Sequence, residues 1–471
     1  MMTTSGEETV LEQAAVEKFE AGLRGALLRP TDEGYEEARA IWNGMIDKKP
    51  ALIVRCTGAA DVIDAVRFAR THSLLVSVRG GGHNVSGNAV CDGGLMIDLS
   101  LMKAVWVDPE AGTTRVQGGA TWGDVDREAQ AFGLAVPGGI VSTTGVAGLT
   151  LGGGIGWIQR KHGLTCDNLL SVDFVTADGE FLTASPDQNP DLFWGLRGGG
   201  GNFGIVTSFE FRLHLLGPIV IAGMVLHPME KAREVLEFYR DYISDAPEEL
   251  TAVPVLRIAP PAPFLPEEIH GQPVSGIAVC YAGAVEEAGP VVQPVKEFGA
   301  PQADLIVPKP FMAHQIMFDA TSPPGWNYYL KSEYLSDLSD GAIDIIAEHA
   351  ARITSPQTVI PAFHLGGAIQ RTDDDETAVG HRDAGWALNI QAAWTEPDGS
   401  EKHIEWTREF WKTLQPFSAG GAYINFQSGD EGEDRVRAAY GETTYQRLVA
   451  LKNQYDPSNF FRLNQNIKPT V

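Results

Sequence analysis

The chain is poor in the devices that staple or anchor a protein. It has four cysteines, Cys56, Cys91, Cys166 and Cys280, far apart and without a C-x-x-C. That spacing argues against a disulfide framework and a structural zinc site. No run reaches the ~18 apolar residues of a membrane span. The opening MMTTSGEETVLEQ has neither a basic start nor an apolar stretch. No signal peptide is therefore expected, and a cytoplasmic location is. Positive charge is scarce as well: 36 Lys+Arg against 61 Asp+Glu leave a formal charge of −25. Such a surface repels phosphate, which argues against nucleic acid and anionic membranes as partners. No G-x-x-x-x-G-K-[ST] exists, so a P-loop is excluded. His162 and His364 lack ligand-spaced partners and read as structural. No metal site is expected.

Glycine is abundant instead. Its 52 copies among 471 residues exceed the usual share of roughly 7%. They cluster in runs, as in VRGGGHNVSGNAVCDGG, which suggests close backbone approach to a ligand more than flexibility. The length exceeds one compact core, and two domains are the default expectation.

Around the runs, ALIVRC and LLVSVRG read as strands flanking the helix AADVIDAVRFARTH, a β-α-β unit ending in Gly80-Gly81-Gly82-His83. LMIDLS, VWVD and TTRVQGGA are further strands. The Thr121 hydroxyl is expected to cap TWGDVDREAQAFG by accepting an early N–H. SVDFVTADGEFLTAS reads as a hairpin about Asp178-Gly179. Asn189-Pro190 open a short helix, and GIVTSFEFRLH alternates as a strand. After Gly217-Pro218 the glycine runs stop. Helices such as MEKAREVLEFYRDYI alternate with strands such as SGIAVCYAG and WALNIQAAWT. In the last, Leu388, Ile390, Ala392 and Trp394 face one side, Asn389, Gln391 and Ala393 the other. The expectation is a half-buried antiparallel sheet with helices on one face.

Gly199 to Gly204, GGGNFG, matches G-x-G-x-x-G literally, but a helix precedes it and a strand follows. A Rossmann site needs the reverse order. Three other loops remain: Gly80 to Gly87, Gly118-Gly119, and Gly138 through Gly156. Consecutive small-residue N–H groups make anion-binding concavities without a Rossmann helix. Three in one domain point to a nucleotide ligand.

RPTDEGYEEARAIWN, the R-G-G-G-H loop, PGG…GGGIGW…GLTCDN, DLFWGLRGGGGNFGIVT and the ending YDPSNFFRLNQNIKP occur in that order. Together they resemble the flavoprotein oxidases of the vanillyl-alcohol-oxidase superfamily, within its berberine-bridge-enzyme-like group. The resemblance implies an α+β fold: a two-subdomain PCMH-type FAD-binding domain plus a substrate domain with an antiparallel sheet covered by helices on one face. The implied layout is residues 1–218 (core about 46–217) for FAD, 219–419 for substrate, and 420–471 returning to the FAD domain.

It further implies FAD bonded to His83. Arg79, Gly80, Gly81, Gly82, Asn84, Ser86 and Gly87 would surround that histidine. Pro137, Gly138, Gly139, Val141, Thr144, Gly145, Gly148, Gly152, Gly153 and Gly154 would form a second cofactor loop. Ile205, Val206, Asn464 and Asn466 would complete the set. Val141 stands where many relatives carry a second, cysteinyl flavin link, so no such link is expected. Cys166 lies downstream and reads as a small buried apolar side chain. In this the chain is similar to the hydroxynicotine-oxidase branch. Thr144 falls at a gatekeeper position that bears on oxygen access.

The implied chemistry is hydride transfer from a C–H next to O or N of a small organic, aromatic, heterocyclic or secondary-metabolite substrate. Molecular oxygen would be the acceptor and H2O2 the product. An alcohol would need a base, and an amine little help. Glu376 or Asp375, just before His381-Arg382, is one candidate base; Tyr423, with Asn425 and Phe426, is another. Trp326, Tyr328 and Tyr329 offer an aromatic wall or core. A carbohydrate oxidase, a dehydrogenase with another acceptor, and a flavin-binding protein without turnover stay open, as does the oligomeric state.

Overall fold

The computed structural model describes residues 1–396 and 398–471. Mixed helix and sheet organise it into three main sheets and one small one. The first sheet holds β1 (Ala26–Leu28), β2 (Leu52–Arg55), β3 (Val76–Arg79) and β4 (Leu95–Asp98), in the order β1-β2-β4-β3. Both β2 and β3 run parallel to β4. Such strands are covered on both faces, hence their near-continuous apolar character. The helix Ala59–Thr71 buries Val62, Ala65, Val66 and Ala69 against this sheet.

The second sheet is antiparallel: β5 (Val105–Asp108), β6 (Thr113–Gln117), β8 (Leu169–Thr176), β9 (Phe181–Ala184) and β10 (Gly204–Arg212), in the order β5-β6-β10-β8-β9. A two-residue strand β7 (Leu134–Ala135) pairs with β11 (His214–Leu215) beside it. The hairpin at Asp178-Gly179 joins β8 to β9 as expected. Thr121 caps its helix as expected, in a capping box with Asp124: the Thr121 side chain faces the Asp124 N–H, and its own N–H and hydroxyl donate to the Asp124 carboxylate at 2.9 and 2.8 Å. The strand β10 alternates only in its second half. Its first residues are buried on both faces because they border the cavity described below.

The largest sheet is antiparallel and contains β12 (Ile219–Pro228), β13 (Leu250–Ile258), β14 (Pro273–Tyr281), β15 (Ala303–Asp304), β16 (Val307–Pro310), β17 (Asn327–Leu335), β18 (Val359–His364) and β19 (Trp386–Trp394). Its order is β15-β12-β14-β13-β18-β19-β17, with β16 also on β12. Helices Ala232–Asp245, Ala288–Glu297, Asp340–Ala350 and Ser400–Leu414 cover one face, burying Leu388, Ile390, Ala392 and Trp394. The other face is not open to water. Along β19 every residue but Gln391 is fully buried, because the opposite face closes over a cavity. The expected half-burial is thus corrected.

Residues 41–44 clamp the two sides together. Trp42 Nε1 donates to the Ser322 carbonyl at 2.9 Å, and Asn43 Nδ2 to the carbonyls of Val85 and Tyr328. The helices Glu433–Tyr440 and Glu442–Tyr455 pack their buried faces with the second sheet. No helix among the described residues is long and apolar enough to cross a membrane.

Candidate active site

A cavity of about 330 Å³ runs between the first two sheets and beneath the large one. Three glycine segments make its floor. Gly80, Gly81 and Gly82 follow directly from β3, and Gly139, Gly145, Gly148 and Gly152 come from the segment before β8, the last three in or capping the short helix Val146–Leu151. The third segment is Gly200, Gly201 and Gly204. The first two segments touch: a Cβ on Gly81 would lie 2.4 Å from the Gly145 Cα. Side chains at either position would push the loops apart. No Asp, Glu, Lys or Arg lines the cavity among the described residues. An anionic diphosphate would therefore meet main-chain N–H groups and no carboxylate, despite the acidic surface.

His83 stands where this floor meets the large sheet. Its ring stacks on Trp42 at 4.7 Å, and Trp42 stacks on Tyr328 of β17 at 3.6 Å. Its Nε2 lies 3.1 Å from Thr143 Oγ1. Desolvation pushes its pKa down to about 3, so the ring is neutral at physiological pH and keeps a nucleophilic nitrogen.

Above the floor the wall is apolar: Val255, Phe318, Val359, Pro361, Phe363 and Phe426. Asn389 and Gln391 of β19 interrupt it. Asn389 is 2% exposed, and its Oδ1 has no partner among the described residues. Tyr423 also faces in. Its hydroxyl oxygen accepts from the N–H of Gly154 (2.8 Å) and Ile155 (3.3 Å) and from Asn425 Nδ2 (2.9 Å). Burial pushes its pKa up to about 12, against those three donors.

Gly80, Gly81, Gly82, His83, Asn84, Gly139, Val141, Thr144, Gly145, Gly148, Gly152, Ile205, Val206, Tyr423, Asn425 and Asn464 all line the cavity. Eight of the expected cofactor residues stand behind it instead. Arg79 is taken up by Asp98, with contacts of 2.8 and 2.6 Å that tie β3 to β4. The Ser86 hydroxyl donates to the Gln427 carbonyl at 2.7 Å. Gly87 sits against Ile46, and Gly138 against the Trp122 ring. The Pro137 carbonyl accepts the Thr165 hydroxyl at 2.6 Å. Gly153 and Gly154 turn the chain beneath Tyr423 with φ of 112° and 98°. Asn466 has a buried side-chain oxygen outside the lining.

Glu376 is a clear correction. It is exposed, like Asp375, and away from the cavity, and its carbonyl accepts from Arg197. Glu376→Gln is therefore expected to change turnover by less than about twofold, as for surface substitutions generally. Arg382 behind it is tied to Asp167. Tyr329 faces the helix side, its hydroxyl on Asp430 at 2.7 Å. Cys166 is fully buried and outside the lining, its thiol pushed well up by burial.

Some lining residues had gone unassigned. The GGGNFG loop fails as a Rossmann motif, yet Gly200, Gly201, Asn202 and Gly204 border the cavity. Polar Asn389 and Gln391 on a buried strand were the legible signal for the wall. Trp42 carried none.

Residues 50–185 match the family described as FAD binding domain, and 422–468 match berberine and berberine like. An FAD-linked oxidoreductase of Dictyostelium discoideum is 33% identical over 460 residues, covering 96% of this chain and 97% of that one. The chain belongs to the berberine-bridge-like FAD-linked oxidoreductases. The (R)-6-hydroxynicotine oxidase of Paenarthrobacter nicotinovorans is 30% identical over 461 residues, 95% of this chain and 97% of that one. A crystal structure of 6-hydroxy-D-nicotine oxidase from Arthrobacter nicotinovorans superposes with a TM-score of 0.84 at 29% identity, covering 95% and 98%. As an FAD-linked oxidoreductase, the chain has a cavity that fits its cofactor: a glycine floor without carboxylates, closed at one end by an apolar wall.

Proposed function

We propose that this FAD-linked oxidoreductase is an oxidase that removes hydride from a C–H next to nitrogen in a small aromatic or heterocyclic substrate and passes the electrons to O2, giving H2O2. His83 carries the reading. A neutral imidazole at the junction of glycine floor and apolar wall suits a covalent bond to the flavin, and Val141 leaves no cysteine for a second one. In this proposal residues 1–218 and 420–471 hold the cofactor and 219–419 roof it.

Bound FAD supplies the hydride acceptor. The chain's own residues bind, orient and exclude water. N–H groups of the Gly80–His83 segment and of Ala147 and Gly148, in the first turn of the helix Val146–Leu151, hold the dinucleotide. Phe318, Val359 and Phe363 keep the reacting end dry, and Asn389 and Gln391 orient the substrate's polar edge. Tyr423 is the only ionisable side chain among the wall residues named above. A phenol whose pKa burial pushes up to about 12 stays protonated at neutral pH and has no phenolate lone pair to take a proton. A neutral amine needs no such base, which favours nitrogen over an alcohol.

The test is a panel of paired amines and alcohols on the same ring systems, read by peroxide formation in air and by anaerobic flavin bleaching. Amine-driven bleaching with peroxide supports the reading. Bleaching in which air yields no peroxide would point to a dehydrogenase. Thr144 lines the cavity beside Val141. Thr144→Leu is expected to slow reoxidation by air at least about tenfold, some 1.4 kcal/mol of barrier, with anaerobic reduction little changed. Stopped-flow reoxidation checks it.

A further inference from the structure

Four arginines are fully buried among the described residues: Arg79, Arg160, Arg257 and Arg382. Three have a counter-ion or a cage of several acceptors, although the Nε of Arg160 and of Arg382 has no partner among the described residues. Arg79 pairs with Asp98 and Arg382 with Asp167. Arg160 donates to four main-chain carbonyls, those of Ile243, Ala246, Pro247 and Leu250, around the end of the helix Ala232–Asp245. Arg257 has no such company. It is 5% exposed and forms no ion pair among the described residues. Its Nε donates to the Ile258 carbonyl and its Nη1 to Thr321 Oγ1, both at 3.2 Å. That uses two of a guanidinium's five donors.

Its place in the fold explains what it waits for. Arg257 is two residues beyond Val255 on β13, so both point to the same face of the sheet. Its register partner on β18 is Val359. Val255, Val359 and Thr321 all line the cavity. Asp319, two residues before Thr321, is spent on Ser142, accepting its N–H at 2.8 Å and its hydroxyl at 2.5 Å. A buried charge without a counter-ion is costly. Here the desolvation pulls the guanidinium pKa down to about 10, which leaves it charged at neutral pH.

We propose that the substrate is an organic anion, its carboxylate drawn to the charge of Arg257, which stands directly behind the lining residue Thr321. The proposal rests on the reading of this cavity as the substrate site and adds the substrate's charge. An aromatic or heterocyclic body carrying a carboxylate would meet Phe318, Val359 and Phe363 with its ring and Thr321, backed by Arg257, with its anionic end.

The test uses the purified yellow holoenzyme and follows the visible flavin spectrum during titration with benzoate and with its neutral isostere benzamide. Benzoate is expected to perturb the spectrum with a Kd at least about tenfold lower, the scale of one charge-assisted hydrogen-bond pair. Arg257→Met should bring the ratio of the two Kd values close to one, and Arg257→Lys should keep part of it. The Met variant should also melt higher than the parent, because a lone buried charge is removed. Equal Kd values in the parent would overturn the proposal. So would a benzoate preference that survives in Arg257→Met, or a response reproduced by sodium chloride at the same concentration. A structural Arg257 predicts the opposite pattern, a lower melting temperature with the ratio intact. A colourless protein would instead remove the underlying reading of the site.

Discussion

Replacing His83 with alanine should turn a protein whose yellow colour stays in an acid-precipitated pellet into one whose colour washes into the supernatant. The parent's colour survives denaturation only if a covalent bond holds the flavin, because acid destroys every other contact at once. Two features favour such a bond. The imidazole is neutral, its pKa pushed down to about 3 by desolvation, so a ring nitrogen keeps its lone pair at physiological pH. The ring is also held in place, stacked on Trp42 and 3.1 Å from Thr143 Oγ1. The variant should still purify yellow, since the glycine floor is main chain and does not depend on His83. The two proteins therefore differ after precipitation and little before it. A colourless parent pellet would sink the covalent assignment while leaving FAD binding intact. Cys166→Ala should leave the attachment unchanged, because Cys166 does not reach the cavity.

What was legible in the sequence follows from how each feature is encoded. The floor was readable because close backbone approach demands glycine at successive positions, as where Gly81 meets Gly145. The β-α-β unit and the large sheet were readable from periodicity. Burial on both faces of β19 was not, since what covers the second face lies far away in the chain. The same distance defeated Glu376: four acids before His381 look like chemistry in one dimension, and the fold leaves Glu376 in water. Arg79 adjoins the glycine loop in sequence, yet Asp98, nineteen residues away, claims it. Arg257 had no local signal either. Its significance is the carboxylate it lacks, and that emerges only when every neighbouring strand is in place.

Lys452→Met is expected to destabilise the protein by about 3–5 kcal/mol, the usual result of breaking a buried ion pair, and to weaken flavin retention with it. Lys452 and Asp456 are both fully buried and 2.7 Å apart on successive turns. The ammonium also donates to the carbonyls of Asn202 (2.6 Å) and Phe461 (3.0 Å). Asp456 in turn accepts the N–H groups of Phe460 and Phe461 at 2.7 and 2.9 Å. One cation thus ties the last helix to the third glycine segment and to the C-terminal stretch that borders the cavity, where Asn202, Phe461 and Asn464 all line it. Methionine fills much of the same volume, so the loss is charge and hydrogen bonds, not packing. Burial pulls the Lys452 pKa below its usual value, opposed by Asp456, as expected for an ammonium that persists because its partner does. Thermal unfolding and the fraction of flavin released at moderate urea measure the two effects. Lys452→Arg should recover neither, because a planar fork does not fit three acceptors arranged around a point charge. A Met variant with parental melting and flavin retention would mean that the C-terminal segment is held by its apolar face alone, through residues such as Leu448 and Leu451.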